Sequence, residues 1–241
     1  VIYPVMGEGS YDIMNTNPPK GFEGKSTPEK LLISLFSKTN NFIEEEPELK
    51  IPFSIYPSEW IHLSNADIRI GGFGVLFSGI LCLSLLALVL TWIHTKKMRA
   101  EIAIILGVLL LLALFFPESW WARYSCFTYY IPVFCLIYAA GMEKQKGMAV
   151  LRGVIFAAFL LNALFFVVPV VQTGAEVTKE IHQKLDEIET EANGRTVIVR
   201  VNDFPSHVKL FEERGIDYEV SHQALDDPMI FYRNTKYQFA R

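Results

Sequence analysis

The sequence predicts an α-helical integral membrane protein with about four transmembrane helices, an extramembrane N-terminal region and a small C-terminal α/β domain. Hydrophobic residues make up 51% of the 241 residues, and charged residues only 20%. The apolar runs between positions 73 and 171 are nearly free of charge, and strand and helix patterns follow them. We therefore place an outer-face loop region at residues 1–70, a membrane region at 71–172 and a soluble domain at 173–241.

The region 1–70 carries most of the prolines of the chain, together with many glycine, asparagine and serine residues, which is typical of extramembrane loops. One short helix is predicted over Pro28–Ser37, because Ser26 or Thr27 can cap it and proline suits the first turn. Its apolar face consists of Leu31, Leu32, Leu35 and Phe36.

Four apolar segments predict the membrane helices, and a glycine-rich turn, Gly71–Gly74, precedes the first. They are Phe73–Ile93, Ile102–Phe116, Ala122–Ala140 and Val154–Val171. The second is short for a bilayer unless Trp120 and Trp121 lie in the interfacial belt, and Pro132 predicts a kink in the third. The glycine turn lacks the lysine and the hydroxyl residue of a phosphate loop, so we interpret it as structural.

Two basic loops predict the orientation in the membrane. His94–Arg99 follows the first apolar segment, and Lys144, Lys146 and Arg152 follow the third. Basic loops stay on the cytoplasmic side. The N-terminal region and the C-terminal domain therefore face the other side, which is the periplasm or the exterior for a bacterial inner membrane and a lumen for a eukaryotic one.

The C-terminal residues predict a small α/β unit. An apolar stripe on a helix ending at Gly194 is formed by Val177, Ile181, Leu185, Ile188 and Ala192. A strand at Thr196–Val201, a helix beginning near Asp203 and ending at Gly215, and a strand at Asp217–Val220 follow. This order predicts a parallel strand pair with a right-handed crossover.

The segment Pro117–Tyr124 contains the main candidate site. Arg123 can bind a phosphate with two parallel hydrogen bonds, while Trp120, Trp121 and Tyr124 contact a lipid tail or stack on a sugar. In the alternative, Arg123 reaches the lipid headgroups or pairs with Glu118, and the two indoles anchor the helix in the interface.

Carboxylates of the outer loops are the candidate catalytic groups. Glu8 and Asp12 lie in a glycine-containing loop and can act as a general base or bind a divalent cation, although two solvated carboxylates are the simpler interpretation. Asp67 and Arg69 precede the first apolar segment and are predicted to form a local ion pair.

Several functions are excluded by the composition. The net charge is −4 and no basic stripe carries interleaved aromatic residues, which argues against nucleic-acid binding. The five histidines share no metal-ligand spacing, so no metal is assigned to them. Asn162 is interpreted as an interhelical hydrogen-bonding residue. Serine-hydrolase and ATP-binding motifs are absent.

Several motifs together resemble the C-terminal half of bacterial GT-C-type polytopic membrane glycosyltransferases. They are Tyr3-Pro4, Gly7, Asp12-Ile13-Met14, Lys50-Ile51-Pro52-Phe53, Arg69-Ile70-Gly71-Gly72-Phe73-Gly74 and Pro117-Glu118-Ser119-Trp120-Trp121-Ala122-Arg123-Tyr124. The resemblance implies inverting transfer of a sugar from a polyprenyl-phosphate donor to an envelope acceptor on the outer face. It implies a phosphate-binding role for Arg123. We assign Glu118 and Arg69 to the same substrate site as Trp120, Trp121 and Tyr124.

In that family the catalytic base is usually an acidic residue of the first outer loop, after the first transmembrane helix. The chain begins without methionine. We therefore expect the base in an upstream part of the same protein and expect this chain to be inactive alone.

Two alternatives remain open. A transporter or flippase of lipid-linked saccharides needs charged residues and broken helices within the membrane. The four segments hold no charged residue apart from Arg123 at the mouth of the third. A non-catalytic assembly protein, whose soluble tail binds a partner, is the other alternative; an acidic residue in an upstream outer loop would favour the enzyme.

Overall fold

A computed structural model describes residues 18–41, 44–65, 67–142, 145–201, 205–225, 228–232 and 235–240. Contacts divide the chain into two compact units, Val1–Val171 and Gln172–Arg241. The two units are described separately below.

Helix α1 spans Thr27–Phe36 and begins as the sequence predicts. Ser26 is its N-cap, and the carboxylate of Glu29 accepts hydrogen bonds from the Ser26 amide at 2.7 Å and from the Ser26 hydroxyl at 2.6 Å. Leu31 and Leu35 are buried in a core that they share with the longer apolar helices, whereas Leu32 is exposed. The predicted apolar face is therefore narrower than expected.

The apolar helices of the first unit are α2 at Phe77–Thr95, α3 at Ala100–Phe115 and α4 at Tyr130–Ala139, and α5 spans Lys146–Ala192. Short 3-10 helices lie at Pro57–His62, Cys126–Tyr129 and Ala140–Met142. A buried cluster joins α1, α2, α3 and α4, and a second joins α2, α4 and α5.

The prediction of about four transmembrane helices is wrong. Among the described residues, only α2 and α5 are long and apolar enough to cross a membrane. Helix α3 has 16 residues and helix α4 has 10. At 1.5 Å per residue, α3 is about 24 Å long, less than the roughly 30 Å of a bilayer core.

Two prolines explain the short helices. Phe116 precedes Pro117 and takes an extended conformation with ψ of 120°, because the proline ring disfavours the helical conformation of the residue before it. Helix α4 begins at Tyr130, so Pro132 lies in the first turn, where its missing N–H leaves no hydrogen bond unmade. The prediction that Pro132 kinks a longer helix is therefore wrong: Pro132 lies at the start of α4.

The second unit contains the end of α5, helix α6 at Val208–Glu213 and a four-stranded sheet in the order β2-β1-β4-β3. The strands are β1 at Val197–Arg200, β2 at Tyr218–Val220, β3 at Met229–Tyr232 and β4 at Thr235–Phe239. Strands β1 and β2 are parallel, with Val197 opposite Tyr218, so the predicted parallel pair is confirmed.

The antiparallel strands β3 and β4 were not predicted. Their signal was present but short: Thr235 and Tyr237 are buried and alternate with Lys236 and Gln238. Strand β4 pairs with β1 in antiparallel register, so it occupies the centre of the sheet. Asp203, the predicted helix cap, lies outside the described residues.

Candidate functional site

A cavity of about 400 Å³ in the first unit contains Arg123. Its polar lining comes from Asn65, Arg123, Tyr129 and Asn162, and its other lining residues are apolar. The volume lies in the range of small-ligand pockets, and an apolar lining with a few polar groups is their usual composition. Three polar residues that line the cavity, Asn65, Tyr129 and Asn162, were not among the predicted site residues.

One face of α5 forms the apolar wall of this cavity. Phe159, Ala163, Phe166, Val167 and Val170 line it. These positions are four, three, one and three residues apart, so they share one helical face and extend over about three turns. Because α5 is a membrane-length helix, this wall is suited to a long apolar chain lying beside it.

Arg123 is the cation of the cavity. Its Nη1 lies 3.3 Å from Oδ1 of Asp67, and the two side chains are 57% and 36% exposed. The guanidinium also lies 5.7 Å from the ring centre of Tyr124. Arg123 therefore pairs with Asp67, and the predicted alternative of a pair with Glu118 is wrong. An exposed ion pair of this kind contributes at most about 1 kcal/mol, so an anionic ligand can replace Asp67.

Trp120 and Trp121 are buried side chains of the first unit. Their rings stack at 5.4 Å, Phe22 meets Trp120 edge to face at 4.9 Å, and the Arg69 guanidinium lies 4.5 Å from the Trp121 ring centre. Their exposed fractions are 2% and 5%. The two indoles anchor the loop internally and do not line the cavity, so a ligand there meets Arg123 and the α5 wall.

Glu118 is a buried carboxyl group without a hydrogen bond to either oxygen. Burial raises its pKa above the usual carboxyl range, and the positive charge of Lys30 and the nearby indole of Trp120 only partly oppose this effect. The hydroxyls of Ser119 and Thr128 are also buried without a partner. The loop between α3 and α4 thus contains buried polar groups without hydrogen-bond partners. Ionisation of Glu118 therefore destabilises the folded protein, because a buried charge then lacks hydrogen bonds.

We expect the free energy of unfolding to have a component that depends on Glu118 and falls as pH rises. A carboxyl group with a raised pKa in the folded state contributes stability that is complete below its unfolded pKa and is lost as pH rises through the folded pKa. The variant Glu118→Gln should remove this component. Unfolding measured between about pH 4 and 8 checks it; identical slopes for both proteins would contradict the pKa direction.

Asn162 joins the cavity wall to the start of α2. Its Nδ2 donates to the carbonyl of Phe73 at 3.1 Å, and its Oδ1 accepts from the amide of Leu76 at 3.0 Å. Gly74 has φ of +114°, and an added Cβ there would lie 2.3 Å from the Asn162 amide group. The glycine turn is therefore structural, as predicted, because only glycine leaves room for this side chain.

The structure does not test the predicted catalytic residues or the predicted divalent-cation site. Glu8 and Asp12 lie outside the described residues. Within the part of the chain that is described, no group of three or more histidine, cysteine, aspartate or glutamate side chains is placed to hold a metal ion. Binding of a divalent cation stays a prediction.

Among the described residues, two helices, α2 and α5, are long and apolar enough to cross a membrane. Residues 98–206, less than half of the chain, match the model of a family described as glia associated membrane protein glam-1. No curated protein and no solved structure matches the chain. The resemblance to GT-C glycosyltransferases is therefore wrong, because the model that matches is that of a different family. The name of the matched family and the two apolar helices both indicate membrane association.

Proposed function

We propose that this membrane-associated chain binds a lipid-linked phosphate, such as a polyprenyl-phosphate-linked sugar, in the Arg123 cavity. The observation that supports it is a guanidinium in the same cavity as an apolar helical wall. An amphipathic anion needs both, because its phosphate requires a charged donor and its chain requires apolar contact. Ile68 and Gly72 of the cavity precede α2, and the basic His94–Arg99 loop follows it. With α2 crossing the membrane and the basic loop on the cytoplasmic side, we further propose that the cavity faces the side opposite that loop.

The Asp67 pair sets the chemistry of binding. The carboxylate balances the charge of the guanidinium when no ligand is bound, and a phosphate must compete with it. Guanidinium and phosphate match in a two-pronged hydrogen-bonding geometry, whereas the Asp67 contact lacks hydrogen-bond geometry at Oδ1. The phosphate is therefore the stronger partner for Arg123.

Sugar transfer is a second candidate function that the position of Asp67 favours. An acceptor hydroxyl that attacks the sugar must lose its proton, and a carboxylate beside the phosphate-binding cation is placed to accept it. Arg123 would stabilise the negative charge of the leaving lipid phosphate.

The variant Arg123→Ala in the full protein should weaken binding of a polyprenyl phosphate about 10- to 100-fold, because a hydrogen bond to a charged group is worth about 1.5–3 kcal/mol. Arg123→Lys should bind with intermediate affinity, since it keeps the charge and loses the planar fork. Binding is measured in nanodiscs by titration with a polyprenyl phosphate and, in parallel, with the uncharged polyprenol. Arg99→Ala is the matched control, because Arg99 is exposed outside the cavity.

Equal affinity of Arg123→Ala and the unaltered protein for the phosphate would overturn the proposal, as would equal affinity for polyprenol. Asp67→Asn separates the two candidate functions. It should raise the affinity for polyprenyl phosphate several-fold by removing the competing carboxylate, and it should abolish sugar transfer if Asp67 is the base. Undiminished transfer by Asp67→Asn would exclude Asp67 from that role.

A further inference from the structure

The segment Leu49–Ile61 has its charged side chains inside and its apolar side chains outside. Leu49, Ile51 and Ile61 are 68%, 74% and 68% exposed. Phe53, Ile55 and Trp60 are exposed as well. The two charged residues of the segment, Lys50 and Glu59, are buried. A loop in water shows the opposite arrangement, because apolar surface is unfavourable there and buried charge is costly.

The buried charges hold this arrangement in place. Glu59 accepts from Lys50 Nζ at 2.5 Å, from the Thr39 amide at 2.8 Å and from the Tyr56 amide at 2.9 Å. Lys50 also donates to the carbonyl of Val75 at 3.0 Å. These bonds direct both charged side chains inward, whereas the apolar residues beside them, Leu49, Ile51 and Trp60, are exposed.

The segment lies against both membrane-length helices. The Phe53 ring packs directly on Gly79 in the first turn of α2, where an added Cβ would approach it to 2.4 Å. The Trp60 ring meets the Phe165 ring of α5 edge to face, with 5.3 Å between centres. Leu164, Val167 and Val168 on the same stretch of α5 are exposed. The apolar surface of the segment is thus continuous with that of the helices.

We propose that Leu49–Ile61 lies in the interfacial layer of the lipid bilayer, with its apolar side chains among the acyl chains. Tryptophan and tyrosine side chains suit this layer, because each has an apolar ring and a polar group that can reach water. The segment exposes no charged side chain that would select a soluble partner by charge. Continuity with α2 and α5 favours lipid over a second protein as the occupant.

Site-directed spin labelling of the full chain in phosphatidylcholine vesicles tests the proposal. The native cysteines Cys82, Cys126 and Cys135 are replaced, and one nitroxide is attached at Ile51→Cys or at Ile61→Cys. Glu46→Cys is the matched control, because Glu46 is an exposed polar residue just before the segment. Collision with oxygen, which concentrates in lipid, is compared with collision with a water-soluble nickel chelate.

Labels at positions 51 and 61 should collide several-fold more with oxygen than with nickel, and the label at 46 should show the reverse. Preference for nickel at positions 51 and 61 would overturn the proposal. A second measurement needs no cysteine replacement: quenching of tryptophan fluorescence by brominated lipid should fall in Trp60→Phe to the level that the exposed Trp92 of α2 provides, because Trp120 and Trp121 are buried. Unchanged quenching would count equally against it.

Discussion

The variant Gly74→Ala is expected to lose about 3–4 kcal/mol of stability, from backbone strain and from the displacement of two hydrogen bonds. The residue has φ of +114°, which L-amino acids rarely adopt, and the new methyl group would overlap the Asn162 amide. Asn162 would have to leave Phe73 and Leu76, whose backbone groups would lose their partner. Unfolding in detergent micelles, followed by near-ultraviolet circular dichroism, measures the loss.

Gly107→Ala is the control for this experiment. Gly107 lies within α3, and an added Cβ would meet no atom within 4 Å. Alanine favours the helix by about 0.5–1 kcal/mol over glycine, so this variant should be neutral or slightly more stable. If both variants unfolded alike, the contact between Gly74 and Asn162 would have no energetic role.

The variant Glu59→Gln is expected to cost about 3–5 kcal/mol, because it removes one partner of a buried ion pair. Glu59 is fully buried and accepts three hydrogen bonds, and its loss leaves the Lys50 ammonium without a counterion. Burial already lowers the pKa of Lys50, and only Glu59 opposes this effect. Lys50→Met should cost less, since Glu59 then keeps the Thr39 and Tyr56 amides.

An exposed ion pair in the same region provides the control. Lys38 and Glu48 are 2.5 Å apart, with side chains 25% and 71% exposed. Glu48→Gln should cost less than about 1 kcal/mol, because water screens such a pair. The same denaturation series applies to both variants, and a loss for Glu59→Gln no larger than that for Glu48→Gln would show that the buried pair is not a stabilising centre.

Local signals predicted the parts of the fold that local interactions determine. The Ser26 cap depends on residues within a few positions of one another, and the β1-α6-β2 order follows from patterns along one short stretch of chain. The apolar helices were also found near the predicted positions. The lengths of α3 and α4 were predicted wrongly, because Pro117 and Pro132 limit these helices within hydrophobic runs whose composition is that of membrane-crossing segments.

The partners of the polar residues could not be predicted, because they lie far apart in the sequence. Asp67 pairs with Arg123 across 56 positions of chain, and Lys50 reaches the carbonyl of Val75. Proximity in sequence had favoured Glu118 as the partner of Arg123. Trp120 and Trp121 have the composition of an interfacial belt, but Phe22, distant in the sequence, covers them. Only the tertiary structure shows which distant residues contact these side chains.

The hydrogen bond from Leu76 to Asn162 constrains the order in which the chain can fold. The two residues are 86 positions apart. During synthesis from the N-terminus, the peptide groups before α2 therefore wait for their side-chain partner until residue 162 has been made. Closure of so long a loop is slow compared with helix formation. The start of α2 therefore cannot reach its final geometry before residue 162 has been made.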